Sequence, residues 1–344
     1  MNWREGATRA RLDPERGRLD GERWHFQHGP IDLIIDVDVD GGAAGEPKAG
    51  DTAVIEDCWR AFQGVLPALV AELPALRQAA HGHPGVSGGI ARRMLAACAP
   101  FAAERFITPM AAVAGAVADE VLGICARPGV RRASINNGGD IALWLTAGSA
   151  YRVGIWSQVE RLAPRAPAER PPGLPGSLDA LFAIDAASPV RGIATSGWRG
   201  RSQSLGIADS VTVLARSAAA ADAAATLIAN AVNCDAPGIV RAPAVSVKDD
   251  SDLGERLVTV AVPPLPATAI AEALAQGRAE AVRWQQRGLI EGAVLFLQGH
   301  VEIVAPVPAA VPAAVAAVEV AAAVAATAME SATAMESATA MEAA

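Results

Sequence analysis

The chain has 344 residues and a formal net charge of −8; 51% of it is apolar and only 4% aromatic. That length bounds it at one large domain or two smaller ones, with a core of close-packed, alanine-rich helices. The acidic balance, without any long basic run, argues against nucleic acid as a partner, and the charged opening from Met1 to Glu22 does not read as a secretory signal, so a cytoplasmic protein is expected.

Residues 1–20 mix arginine with acids, show no period and are expected to form a loose arm ahead of a domain spanning 21–304. Trp24 to His28 and Ile31 to Asp40 read as a hairpin joined at Gly29-Pro30. In the second strand Ile31, Leu33, Ile35, Val37 and Val39 face one way and Asp32, Asp36, Asp38 and Asp40 the other. Aligned carboxylates can bind a cation, but an acidic solvent face is the commoner explanation. A helix is expected after the cap Asp51, running past Trp59 and Phe62 until Pro67 bends or ends it. His81-Gly82-His83-Pro84 reads as a turn, and Val86 to Cys98 as a helix stopped by Pro100. Thr108 as cap and Pro109 in the first turn start a third helix from Ala111 to Leu122, whose small residues would admit another backbone or a ligand. Asp119 is a lone acid late in that apolar run, although Glu120 beside it is consistent with an exposed end.

Val130 to Ile135 and Ile141 to Thr146 read as strands around Asn136-Asn137-Gly138-Gly139-Asp140, where the paired glycines point to a bulge, a close backbone approach or a plain turn. The chain turns at Ala147-Gly148-Ser149, returns as Tyr151 to Trp156, carries a proline-rich surface insertion over 161–176, and resumes as a strand from Leu181 to Asp185. The cysteines Cys58, Cys98, Cys125 and Cys234 are far apart in apolar surroundings without paired metal spacing, so buried free thiols are expected.

The richest stretch is Arg191 to Asn233. A loop, Arg191 to Ser202, gathers arginine, glycine and hydroxyls, a mixture suited to oxygen anions because glycine exposes backbone N–H and arginine brings charge. A strand follows, Ser210 to Ala215, then a helix from Ser217 to Asn233 that is apolar except at Asp222, Thr226, Asn230 and Asn233. At helical pitch these fall within an arc of about 80°. A buried carboxylate must be satisfied. Either Asp222 caps a neighbouring helix or meets a buried arginine, or Asp222 and Thr226, one turn apart, place two oxygens on a hard cation such as magnesium.

Pro237 to Ser251 reads as connection, Leu257 to Val262 as a strand, Ala267 to Arg287 as a helix closed by Gly288, and Gly292 to Leu297 with His300 to Val304 as a final hairpin. Residues 305–344 are low-complexity proline and alanine ending in repeats of Thr-Ala-Met-Glu-Ser-Ala; Glu319 and the weak membrane affinity of alanine argue against a transmembrane anchor, and disorder or a frayed helix is expected.

In this order, Pro109-Met110 to Asp119, Asn137-Gly138-Gly139-Asp140-Ile141, Ala194-Thr195-Ser196-Gly197, and Ser210-Val211-Thr212-Val213 running into Ala221-Asp222 and Thr226 resemble the ApbE-like superfamily of FAD:protein FMN transferases. The resemblance covers roughly residues 20 to 304 and is closest to an uncharacterised cytoplasmic branch shared with archaea, in which a segment like Gly206 to Asp209 is typical. It implies an α+β fold with mixed or antiparallel sheets packed against alanine-rich helices. It also implies that Asp222 and Thr226 are magnesium ligands, with a backbone ligand from Ala112 to Gly115, taken here as Ala114. Gly138, Gly139, Asp140, Thr195, Ser196 and Gly197 would line the site of FAD or FMN. The implied chemistry is attack of a protein hydroxyl on a magnesium-polarised phosphoanhydride, releasing AMP.

The departures are specific. The transferases' His-Ile-Ile-Asp-Pro-x-Thr-Gly segment is replaced by Arg199 to Asp209, and their lysine in the small-residue helix is Ala114. Arg199, Arg201 and Ser202 stand where phosphate contacts are needed, although loop arginines are often plain surface charge. The expectation is therefore a protein that binds a small flavin or related nucleotide with magnesium, as an FMN or nucleotidyl transferase, or else as a non-catalytic flavin or heterocycle binder. In a third reading, a scaffold, the polar helix line is only structural. The small-residue helices suit a homodimer as well as a monomer's core. Ser331-Ala332-Thr333 has the context of a flavinylated threonine but lacks its leading acid and glycine spacing, which disfavours self-modification.

Overall fold

The structure, a computed structural model, describes residues 13–19, 23–40, 49–155 and 180–305. The tail, the proline-rich insertion and most of the N-terminal arm fall outside these residues. The described residues form two compact units, one up to Thr146 and again from Pro189, the other between Ala147 and Ser188.

The larger unit is built on one nine-stranded sheet in the order β1-β2-β3-β4-β5-β8-β9-β12-β13, and every neighbouring pair is antiparallel. Its strands are β1 (Glu15–Arg18), β2 (Trp24–His28), β3 (Ile31–Val39), β4 (Val130–Asn137), β5 (Asp140–Leu145), β8 (Gly192–Ser196), β9 (Ser210–Ala215), β12 (Gly292–Leu297) and β13 (His300–Val304). The period-2 alternation sets the faces: Leu33 and Ile35 enter the core under the helices, while Asp32 meets His25 at 2.9 Å and Asp38 pairs with Arg131 and Arg132 on the far side. The acidic strand face is thus neutralised by basic neighbours. β6 (Ala150–Ile155) and β7 (Ala180–Asp185) pair antiparallel in the smaller unit, with Tyr151 opposite Ile184.

The helices are α1 (Ala49–Phe62), α2 (Val65–Leu76), α3 (Gly89–Ala102), α4 (Val113–Cys125), α5 (Ala218–Ala231), the short α6 (Ala244–Val247) and α7 (Ala267–Gln286). On one face of the large sheet α4 packs over β4 and β5, α5 over β8 and β9, and α7 over β12 and β13. α4 and α5 pack against each other. All four cysteines are buried and free, and the Cys58 and Cys125 sulfurs lie 3.5 Å apart.

Several expectations need correcting. The arm contains a strand, β1, because Glu15 to Arg18 complete a ladder against β2. The first helix begins at Ala49, ahead of Asp51. Pro67 does not bend it: the chain breaks at Gln63-Gly64, and Pro67 sits in the first turn of α2, where a missing N–H costs nothing. Pro109–Ala112 is a 3-10 turn that precedes α4 rather than part of it. The expected loop from Arg191 is a strand as far as Ser196, held between β5 and β9, so only Gly197 to Asp209 is loop. The presumed connection after Pro237 contains β10 (Val240–Pro243), paired with β11 (Leu257–Ala261), and α6.

α5 explains how an alanine-rich sequence makes a firm core. A buried methyl contributes only about 0.8 kcal/mol, so such a helix gains cohesion by bringing other backbones into van der Waals contact. A Cβ at Gly115 would lie 2.3 Å from the Ala218 carbonyl oxygen, and one at Gly192 would lie 1.9 Å from the Ser217 carbonyl carbon. The two helix N-termini are then capped crosswise. Asp119 of α4 accepts from the N–H groups of Ala218 (3.0 Å) and Ala219 (2.9 Å), and Asp222 of α5 accepts from Gly115 N–H (3.0 Å). Each carboxylate meets the positive end of the partner's dipole. Asp119→Ala is expected to cost about 1–2 kcal/mol in urea unfolding. No change at all would mean that Ser217, which accepts from Ala220 N–H, caps α5 alone.

Candidate functional site

β4 and β5 are joined by a two-residue turn, with Asn137 paired to Asp140 and Gly138 and Gly139 at φ +62 and +111. Both glycines take left-handed conformations, as the tight hairpin turn requires; there is no bulge. The turn is fixed by Asn136, whose Oδ1 accepts from Gly139 N–H at 2.8 Å. Asn137, on the helix side, donates from Nδ2 to the Ala114 carbonyl at 3.1 Å and accepts from Asp32 N–H at 3.3 Å.

Asp140 opens β5 as a buried side chain. Its Oδ1 accepts from Thr195 N–H at 3.2 Å, and its carboxyl is hydrogen-bonded to that of Asp222. Two carboxyls in one buried place cannot both ionise cheaply. Burial, followed by the Asp222 charge, pushes Asp140 well above the usual carboxylate range. Burial also raises Asp222, to about 7, against the lowering pull of the Gly115 and Ala114 N–H groups and of the Asp140 hydrogen bond. The two carboxyls therefore share a proton between them. The same surroundings raise the buried Cys98 thiol, first through burial and then through the charges of Asp222 and Asp252.

Asp222 is thus the cap of a neighbouring helix, the plainer of its sequence readings, but it is half-buried rather than sealed in. Thr226, one turn further along α5, is also half-buried, and its hydroxyl makes no hydrogen bond among the described residues. The rest of the polar line is structural. Asn230 Oδ1 accepts from Leu205 N–H (2.9 Å) and Ser204 Oγ (3.1 Å), and Asn233 Oδ1 accepts from Arg241 Nη2 (2.6 Å). The Asn230 bonds strap the loop after Gly197 to the end of α5, and at Gly206 a Cβ would stand 2.0 Å from the Ala229 carbonyl oxygen.

The other expected residues divide. Thr195 contributes its N–H to Asp140, while its hydroxyl turns to Thr212 Oγ1 at 2.8 Å, on the sheet face away from the helices. Ser196, the next residue, takes the helix face by strand alternation. Gly197 brings the chain against Asp209, whose carbonyl oxygen would lie 2.3 Å from a Cβ there. Arg201 lies over Gly138, and its charge is felt by Asp140. Arg199 instead pairs with Asp209 at 3.2 Å.

The Asp140–Asp222 contact, the Asn137 bridge and the Asp119 half of the crosswise caps lie outside the sequence reading, which offers Asp222 as the cap of a neighbouring helix. Asp119 carried a signal for its cap: like Asp222, it is an acid inside an apolar helical run, although Glu120 follows it. Among the described residues no three His, Cys, Asp or Glu side chains converge as a metal cluster, and no helix is long and apolar enough to cross a membrane.

A family model described as AbpE bacteria matches residues 15–303. The chain is 36% identical over 157 residues to a UPF0280 protein of Methanosphaerula palustris, covering 45% of this chain and 56% of that protein. It is 34% identical over 174 residues to a UPF0280 protein of Methanopyrus kandleri, covering 50% and 61%. It therefore spans about half the length of the curated relatives it matches. Solved structures similar to it include the ApbE protein of Thermotoga maritima (TM-score 0.41, 11% identity, 84% of this chain and 96% of that one). They also include a variant of the flavin transferase ApbE from Vibrio cholerae (TM-score 0.43, 12% identity, 85% and 97%).

Proposed function

The chain belongs to the AbpE bacterial family, and from that footing we propose that it binds a flavin nucleotide, or a related nucleotide, through magnesium at the Asp222 end of α5, and acts on its phosphoanhydride. The observation that carries this reading is the partial exposure of Asp222 and Thr226 on one side of α5. A carboxyl whose charge is poorly neutralised and a hydroxyl without a partner stand one turn apart, next to the Gly138-Gly139 turn.

The residues fit a hard cation. Asp222, Thr226 and the Ala114 carbonyl offer oxygen alone, as magnesium prefers, and the carbonyl is oriented by Asn137. A cation here would also relieve the crowding of Asp140 and Asp222. When bound, magnesium would polarise the phosphoanhydride and neutralise charge on its oxygens. The chain's own groups do the rest. The α4 N-terminus and Asn137 hold Asp222 and the Ala114 carbonyl in place, Asp140 shares a proton with Asp222, and Ser196 and Gly197 line the approach from β8.

A second reading, a flavin binder that leaves the ligand intact, is favoured by the loop from Arg199 to Asp209. It contains no histidine, and it is fastened to α5 through Ser204, Leu205 and Gly206. Incubating the full-length chain with FAD and magnesium separates the two. AMP release, dependent on magnesium and lost on chelation, supports an enzyme. Retained flavin without AMP supports the binder, and neither outcome removes the flavin reading altogether.

A further inference from the structure

Building on the nucleotide reading of this same site, we infer that Arg201, and not Arg199, takes the ligand's phosphate, with the bare backbone of Gly138 as its seat. The two arginines stand two positions apart in one loop, and the fold treats them differently. Arg199 Nε lies 3.2 Å from Asp209 Oδ1, and the Asp209 side chain is only 8% exposed. The Arg199 guanidinium is 5.1 Å from the centre of the Trp198 ring, and Trp198 Nε1 donates to the same Asp209 oxygen at 3.3 Å. The second oxygen of Asp209 accepts from Gln298 N–H. Arg199 is therefore engaged, through Asp209, in contacts that tie the loop to β12 and its turn.

Arg201 is exposed and makes no hydrogen bond or ion pair with the described residues. Its Nη2 stands 2.0 Å from where a Cβ of residue 138 would be, so the guanidinium occupies room that exists because position 138 is glycine. The acid it faces, Asp140, has its oxygens turned to Thr195 N–H and to the Asp222 carboxyl. The planar fork of Arg201 is left without an acceptor, and such a fork matches two oxygens of a phosphate. It stands at the glycine turn, next to the carboxyl pair at which the cation is proposed. Phosphate oxygens would then meet positive charge from two sides, one supplied by the chain and one by the ion. In a sequence without the transferases' histidine segment, the loop that replaces it brings this arginine instead.

The test is calorimetric titration of inorganic pyrophosphate, with magnesium present, into the full-length protein and its Arg201→Ala, Arg201→Lys, Arg199→Ala and Gly138→Ala variants. Arg201→Ala is expected to weaken binding at least about tenfold, as loss of a charge-assisted contact does. Arg201→Lys should recover part of the loss, since it keeps the charge without the fork. Gly138→Ala should imitate Arg201→Ala and add little to it in the double variant, while Arg199→Ala should lower thermal stability and leave pyrophosphate affinity unchanged. Equal affinity of wild type and Arg201→Ala, or no pyrophosphate binding by wild type, overturns the inference. FMN and riboflavin, titrated in parallel, separate it from the flavin reading. Pyrophosphate binding that needs Arg201 without flavin binding keeps the arginine and removes the flavin. Flavin binding indifferent to Arg201 does the reverse.

Discussion

Asp222→Asn is expected to be at least as stable as wild type near pH 8 without metal, yet to lose magnesium-dependent ligand binding. The amide oxygen can still accept from Gly115 N–H, so the cap on α4 survives, and the amide nitrogen can donate to Asp140. What disappears is the negative charge. In wild type the folded state holds the Asp222 proton more tightly than the unfolded chain does, with a value pushed up to about 7 from an ordinary 3.8. The stability linked to that proton is fully present below about pH 4 and is lost as pH rises through about 7. The loss is on the order of 2–4 kcal/mol, at about 1.4 kcal/mol per tenfold change. Metal-free wild type should therefore melt at lower temperature at pH 8 than at pH 5, and the Asn variant should show a much flatter profile. Magnesium competes with the same proton, so it should restore the wild-type melting temperature at pH 8, do little at pH 5, and do nothing for the variant. Thermal melts at both pH values, with and without magnesium, check this. A magnesium response equal in wild type and variant would take the cation away from Asp222. A response absent from both would leave this carboxylate a helix cap and no more.

What the sequence made legible follows from which interactions are local. The period-2 run placed β3 correctly, because its pattern reflects its own two faces, and the short apolar runs of β9 and β12 were legible because both of their faces are buried. The apolar α5 with its polar line was visible for the same reason: helical pitch alone puts Asp222, Thr226, Asn230 and Asn233 on one side. Nothing local says which of them is open. Asn230 and Asn233 are satisfied by Leu205, Ser204 and Arg241, whereas Thr226 has no partner, and that distinction depends on where the loop after Gly197 returns. The loop misjudgement has a similar origin. Gly192 to Ser196 carries small and hydroxyl residues that read as turn, but its register between β5 and β9 makes it a central strand, and Gly192 is needed there because Ser217 passes directly over it. Asp140 was named for its motif, yet its contact with Asp222 joins residues 82 positions apart (222 − 140) and could not be read from either segment alone.

Gly115→Ala tests the joint on which fold and site both rest, and it is expected to be strongly destabilising for a single added methyl. An added Cβ would stand 2.3 Å from the Ala218 oxygen, 2.4 Å from its carbon and 2.7 Å from Ala219 nitrogen. All three are backbone atoms in the first turn of α5, so no side chain can swing aside; the helices must separate. Overpacking of this kind costs about 1–3 kcal/mol when neighbours can relax, and more where they cannot. Here relaxation also lengthens the bonds from Asp119 to Ala218 and Ala219 and from Asp222 to Gly115, so the capping contribution is lost with it. Alanine's better helix propensity returns at most about 1 kcal/mol. The net expectation is a loss of about 3 kcal/mol or more, which at this size lowers the melting temperature by roughly 6–12 °C. Magnesium should recover less of that loss than in wild type, since the oxygens of Asp222 and the Ala114 carbonyl would no longer share one frame. Urea unfolding of Gly115→Ala beside Gly123→Ala makes the comparison clean, because a Cβ at Gly123, on the same helix, would meet nothing within 4 Å. If the two variants lose equal stability, α4 and α5 are not in backbone contact, and the crosswise caps cannot be what aligns the carboxyl pair.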